Sequence, residues 1–171
     1  MNFNSSSLSI EELELRMRPG ALSQRGFLGK NEKLSEVLAR DAQTLKDLGV
    51  TFEEFADRLE TLIRAAVATP HRTARIGNFE IKVTVYPGFQ MCPWSPDIHH
   101  AQCTAGGGVR YASIDWCIRN LHSGKEMCGP GLVVHLIRDH HFFEGFESPF
   151  RIDPLELARL LELGPFSGKN V

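Results

Sequence analysis

All four cysteines of this 171-residue chain, and every histidine except His71, fall between Cys92 and His141. Thiolate sulfur and imidazole nitrogen together make the ligand set that a tetrahedral zinc ion prefers. The order runs Cys92, Cys103, a hairpin pattern, then His135 and His140 or its neighbour His141, so two ligands come from each of two elements. One zinc per chain is the cofactor this arrangement predicts, with Cys92, Cys103, His135 and His140 as the favoured ligands and His141 as the substitute for His140. A helix sets a condition on the second pair. At ~100° per residue, positions five apart stand about 140° apart, so His135 and His140 converge only if the last turn departs from ideal geometry. His135 and Asp139, at i and i+4, converge more naturally. Without a metal, Val133 to Ile137 would be core carrying one satisfied histidine, and Asp139-His140-His141 a solvated helix end.

Over about residues 89 to 145 the order resembles a Cys2His2 zinc-binding module, and His135-Leu-Ile-Arg-Asp-His140 has the H-x4-H spacing of its histidine pair. Ten residues lie between Cys92 and Cys103, where the family has two to four. What the resemblance implies is therefore metal binding rather than a finger that reads nucleic acid.

Cys117 and Cys128 have a separate reading. If Arg119 pairs with Glu126 across the hairpin, Cys117 stands directly opposite Cys128. A reduced packed pair, ligands taking the place of one outer cysteine, and an oxidisable dithiol then compete. The reduced pair is favoured, because free cysteine packs as a small hydrophobe and no C-x-x-C motif tunes these thiols. Between the outer cysteines, Pro93 to His100 is a loop held extended by its prolines, in which Asp97, His99 and His100 could face a pocket. With an open coordination position, the same cluster would serve a metal-dependent hydrolase, with Asp97, Asp139 or Glu144 as the base. The chain has no H-E-x-x-H and no G-x-S-x-G, and Gly106-Gly107-Gly108 lacks the Lys-Ser or Lys-Thr of a phosphate loop and reads as a flexible connector. The favoured reading is thus a non-enzymatic protein with a structural zinc, acting by binding a protein or small ligand. A metal-dependent hydrolase is the alternative, and a metal-free structural or regulatory domain is the third class.

These residues need elements to position them. Ser9 with Glu12, and Thr51 with Glu54, form capping boxes ahead of apolar stripes, and Leu34, Val37, Leu38, Leu45 and Leu48 lie near one face of a helix that Gly49 can close. The first helix should stop at Arg18, before Pro19-Gly20. From Thr69-Pro70 the period changes. Phe79, Ile81, Val83 and Val85 alternate with polar residues, Gly77-Asn78 suits a tight hairpin turn, and Ile114, Trp116 and Ile118 begin a second hairpin. Gly129-Pro130-Gly131 should break that strand, and a buried helix is expected over Leu132 to Phe143, ending near Gly145. Asp153, Pro154, Glu156 and Gly164 frame a last helix. Phe142, Phe143, Phe146 and Phe150 are expected to pack as a joint between the two C-terminal helices.

The result is an α+β chain: a helical region over 1–68, a small antiparallel sheet, and two C-terminal helices packed on that sheet. The mixed, Cys/His-rich region 69–171 is expected to share one core with the first. Hydrophobic residues at 42% and charged residues at 23% exclude a disordered or collagenous chain, and a formal net charge of -2 supplies no global field toward nucleic acid or anionic lipid. Neither a basic start nor a long apolar run occurs, so a cytoplasmic address without a membrane partner is expected. Ser5 to Ser7 reads as a frayed end.

Overall fold

Local chemistry fixes the ends of the helices. The computed structural model describes residues 8–168, so the Ser5–Ser7 end lies outside the described residues. In α1 (Ile10–Met17), the Ser9 hydroxyl accepts from the Glu12 amide at 3.2 Å while the Glu12 carboxylate accepts from the Ser9 amide at 2.8 Å. Thr51 and Glu54 repeat this ahead of α3 (Phe52–Val67). α2 (Leu34–Leu48) has no side-chain cap at Lys33, and Gly49 closes it in the left-handed conformation at φ 66°. α5 (Pro154–Leu161) starts on the Asp153 side chain. It is closed by Glu162 in the left-handed region rather than by Gly164, which opens a 3-10 turn pressed against the Leu48 carbonyl.

Four antiparallel strands follow one another in sheet order: β1 (Thr73–Ile76), β2 (Phe79–Val85), β3 (Ile114–Asn120) and β4 (Glu126–Pro130). Ile76 faces Phe79 across the Gly77-Asn78 turn, as expected. Phe79, Ile81, Val83, Ile114, Trp116 and Ile118 are buried on one face, while Val85, expected among them, is exposed at the strand end. α3 lies on β1 and β2, α5 on β3 and β4, and α4 (Val133–His140) packs on α3. With five helices and this sheet among the described residues, the architecture is α+β.

Two expectations near the site are corrected. Gly129-Pro130-Gly131 does not stop the strand at Gly129. Pro130 belongs to β4, facing Asp115 between the hydrogen-bonded pairs of the ladder, where an edge strand loses nothing by lacking an N–H. The chain turns at Gly131, where a Cβ would collide with the Tyr111 carbonyl. The helix after it ends at His140 instead of running to Phe143. His141 takes the left-handed conformation (φ 55°, ψ 37°), and the amides of His141 and Phe142 return to the carbonyls of Ile137 and Leu136 at 3.2 and 3.0 Å.

That reversal sends two phenylalanines into two cores. Phe143 meets Phe55 edge-on, with centroids 5.7 Å apart, in a cluster built from α3, the inner sheet face and α5. Phe142 enters a second cluster with Met17, Leu28, Leu34, Val37, Leu136 and both free cysteines. Each cluster takes residues from before and after residue 68. The Phe142–Phe150 segment is therefore not a single joint. Phe146 and Phe150 are exposed, and Phe146 lies between the guanidinium groups of Arg40 and Arg151, each 4.0 Å from its ring centroid. Arg151 in turn forms a forked pair with buried Asp41 at 2.6 and 2.9 Å, tying this segment to α2.

Candidate metal centre

Cys92 begins a tight turn in which the Ser95 amide returns to the Cys92 carbonyl at 3.0 Å. Arg16 of α1 holds this turn by donating to the carbonyls of Pro93 and Ser95 at 3.1 and 2.6 Å. The Gln102 side chain clips the loop shut, accepting from the Cys92 amide and donating to the Gln90 carbonyl. Cys103 is thereby returned beside Cys92, ten residues of loop having been folded out of the way. Both cysteines are buried and unpaired.

α4 supplies the imidazoles from the face opposite. Cys92, Cys103, His135 and His140 each offer one ligand atom to a cluster, with all four atoms within 4.8 Å of one another. The Nε2 atoms of His135 and His140 are 3.2 Å apart, and His140 Nε2 is 3.5 Å from Cys103 Sγ. Metal–nitrogen and metal–sulfur bonds of about 2.05 and 2.3 Å in a tetrahedron set nitrogen pairs about 3.3 Å apart and nitrogen–sulfur pairs about 3.6 Å apart. The two edges at His140 Nε2 match these values, and the two-sulfur, two-nitrogen donor set suits a tetrahedral ion. The two imidazoles meet although α4 remains α-helical through His140, so the expected departure of the last turn from helical geometry is not needed.

Electrostatics favour the ligating forms of both histidines. Burial first, then the neighbouring His135 and His141, lowers His140 to about 4, so its ring is neutral near pH 7. Burial also lowers His135, opposed by the Asp139 carboxylate. Asp139 Oδ2 lies 2.7 Å from His135 Nδ1, yet the contact is not aligned as a hydrogen bond, and Nδ1 is buried without a well-directed partner. The carboxylate nevertheless attracts the ring proton to Nδ1, leaving the Nε2 lone pair aimed at the cluster. His135 thus turns Nδ1 to Asp139 and Nε2 to the cluster. For Cys92, burial pushes the thiol up, against a lowering contribution from the Trp94 backbone N–H. A bound cation would offset that cost by holding the thiolate.

The remaining expected site residues lie elsewhere. His141 does not substitute for His140: it caps α4 and stacks, exposed, on Phe52 at 4.1 Å. Asp97 closes its own turn, accepting from the His99 amide at 2.9 Å and contacting His100 Nδ1 at 2.8 Å, and all three residues are exposed. Those contacts, the His99 amide foremost, lower the Asp97 carboxyl. Glu144 is buried, with the Ser148 hydroxyl donating to it at 2.6 Å, and burial raises its carboxyl to about 7. Cys117 and Cys128 are not a reduced pair or ligands. They are disulfide-bonded, the register placing them opposite one another with Cα atoms 4.0 Å apart.

Three contributors were not singled out for this site. Trp94 stacks flat on His140, with centroids 4.2 Å apart and planes 5° from parallel, and so fixes the plane of that ring. Gln102 closes the loop. Gly106 is no flexible connector: it sits at φ 59° in a 3-10 turn against α4, and a Cβ there would overlap the Asp139 carboxylate. Its signal was the glycine triplet three residues after Cys103, read for freedom rather than for lack of bulk.

No protein-family model matches the chain, and comparison with curated proteins and with solved structures gave no match. Among the described residues, no helix is long and apolar enough to cross a membrane.

Proposed function

We propose that Cys92, Cys103, His135 and His140 bind one zinc ion, and that this ion is structural. The observation that carries the reading is the convergence of four protein ligand atoms within 4.8 Å of one another, with the two edges at His140 Nε2 at tetrahedral spacing. Sulfur and imidazole donors in a two-and-two set select zinc over hard cations such as magnesium or calcium. Four protein ligands close the coordination sphere, whereas zinc-water catalysis requires an open position. The ion would clamp the 92–103 loop to α4 and so join the second core cluster to the helix shared with the first. The protein then acts by binding a protein or small ligand, in the cytoplasm, rather than by catalysis.

Elemental analysis of protein purified without a histidine tag or added metal tests this. About one zinc per chain is expected, with a fall in the melting temperature on chelation. Metal-free protein with a melting temperature indifferent to chelator would refute it and favour a metal-free domain.

A further inference from the structure

The sheet face turned away from the helices carries a second kind of cysteine chemistry. Across its four strands, one row reads Thr73, Lys82, Cys117, Cys128, and the next reads Arg75, Glu80, Arg119, Glu126. The Cys117–Cys128 disulfide is therefore displayed outward, Cys128 being exposed and Cys117 half-buried. A concavity of about 710 Å³ lies over this face, lined by Arg75, Lys82, Arg119 and Cys117 together with Glu80 and Glu126. None of its three cations lies within ion-pair distance of a carboxylate among the described residues. The disulfide thus has an accessible sulfur at the edge of a basin with a cationic excess.

We infer that Cys117–Cys128 is a thiol-exchange site for a small anionic thiol, which enters this concavity and attacks the Cys117 sulfur. Cys117 is the sulfur that lines the basin, while Cys128 lies beyond it on the edge strand. The incoming thiolate forms a bond to Cys117 Sγ. The S–S bond breaks, and its electron pair leaves with Cys128 Sγ as a thiolate in contact with water, which then takes a proton. A second thiolate attacks the mixed disulfide, releasing the oxidised small disulfide and the Cys117 thiolate. The protein disulfide is reduced by two electrons, and two small thiols are oxidised. Arg75, Lys82 and Arg119 favour a thiol bearing carboxylates and disfavour a cationic one. This site is separate from the metal centre and does not depend on zinc.

The test uses the full chain with whatever metal it carries, and two probes, reduced glutathione as the anionic thiol and cysteamine as the cationic one. Opening rates are compared per thiolate at equal intrinsic reactivity, and rapid alkylation followed by peptide mass spectrometry locates the adduct. Glutathione should react faster by on the order of tenfold at low salt. The Lys82→Gln, Arg119→Gln double variant should lose that preference, and the early adduct should lie on Cys117 with the alkyl group on Cys128. Both substituted side chains are exposed, and an unchanged melting temperature establishes that the variant is folded. Equal rates for the two thiols, an early adduct on Cys128, or a disulfide that opens only in denaturant would overturn the inference.

Discussion

The two cysteine pairs have the same composition and opposite surroundings. Cys92 and Cys103 are buried at the meeting of a loop and α4, facing two imidazoles, whereas Cys117 and Cys128 face each other on a sheet surface among exposed charges. A β-ladder brings its cysteines together by register alone, since opposed residues between the hydrogen-bonded pairs have the closest Cβ atoms. The loop pair needs more. Arg16, Gln102 and the turn at Cys92 must all hold before its sulfurs reach the helix. Register alone therefore joins one pair, whereas the other pair depends on neighbours that fold its loop against two imidazoles.

Cys92→Ser should have the largest effect. It should abolish metal binding and lower stability by about 4 kcal/mol under conditions where free zinc stands roughly a thousandfold above its dissociation constant. Metal analysis and chemical denaturation check both halves, and retention of a full zinc equivalent would separate Cys92 from the centre.

Phe143→Ala should come next, at about 3–4 kcal/mol, because the ring is fully buried against Phe52 and Phe55. Metal content should not change, since Phe143 belongs to the cluster that excludes the cysteines. An unchanged denaturation midpoint would contradict the packing described. Replacing both Cys117 and Cys128 by serine should cost about 2–3 kcal/mol, the loop-closure value for the sequence separation of 11, again with full metal content. Metal loss in that variant would break the distinction between the two pairs.

Glu144 gives an effect confined to a defined pH window. Its carboxyl is raised from 4.5 to about 7 in the folded protein, so the unfolded chain releases this proton first as pH rises. The stabilisation from the protonated form is complete below pH 4.5 and lost as pH rises through 7. Glu144→Gln should therefore raise the denaturation midpoint at pH 8, leave it nearly unchanged at pH 4, and flatten the dependence between them. A variant with the wild-type slope would assign that dependence to another group.

Much of the fold was legible because its signals are local. The capping boxes at Ser9 and Thr51, the alternation over Phe79–Val83 and the Cys117–Cys128 register all depend on residues close in sequence or on one hairpin. The four converging residues were also legible, through ligand type and order. What sequence could not supply was the left-handed His141, a conformation with no glycine to announce it, and so the division of Phe142 and Phe143 between two cores. Long-range groups were equally hidden: Arg16 on the loop carbonyls, Arg151 on Asp41, and Gly106 making room for Asp139. The disulfide was misjudged because register gave the distance while the oxidation state was argued from packing and the lack of a C-x-x-C motif.

The most direct test of the central claim is X-ray absorption at the zinc edge of protein purified without added metal. The account predicts a first shell of two sulfurs at about 2.3 Å and two nitrogens at about 2.0–2.1 Å, with no oxygen. An oxygen in the shell, fewer than two sulfurs, or no zinc signal would contradict a closed Cys92, Cys103, His135, His140 centre.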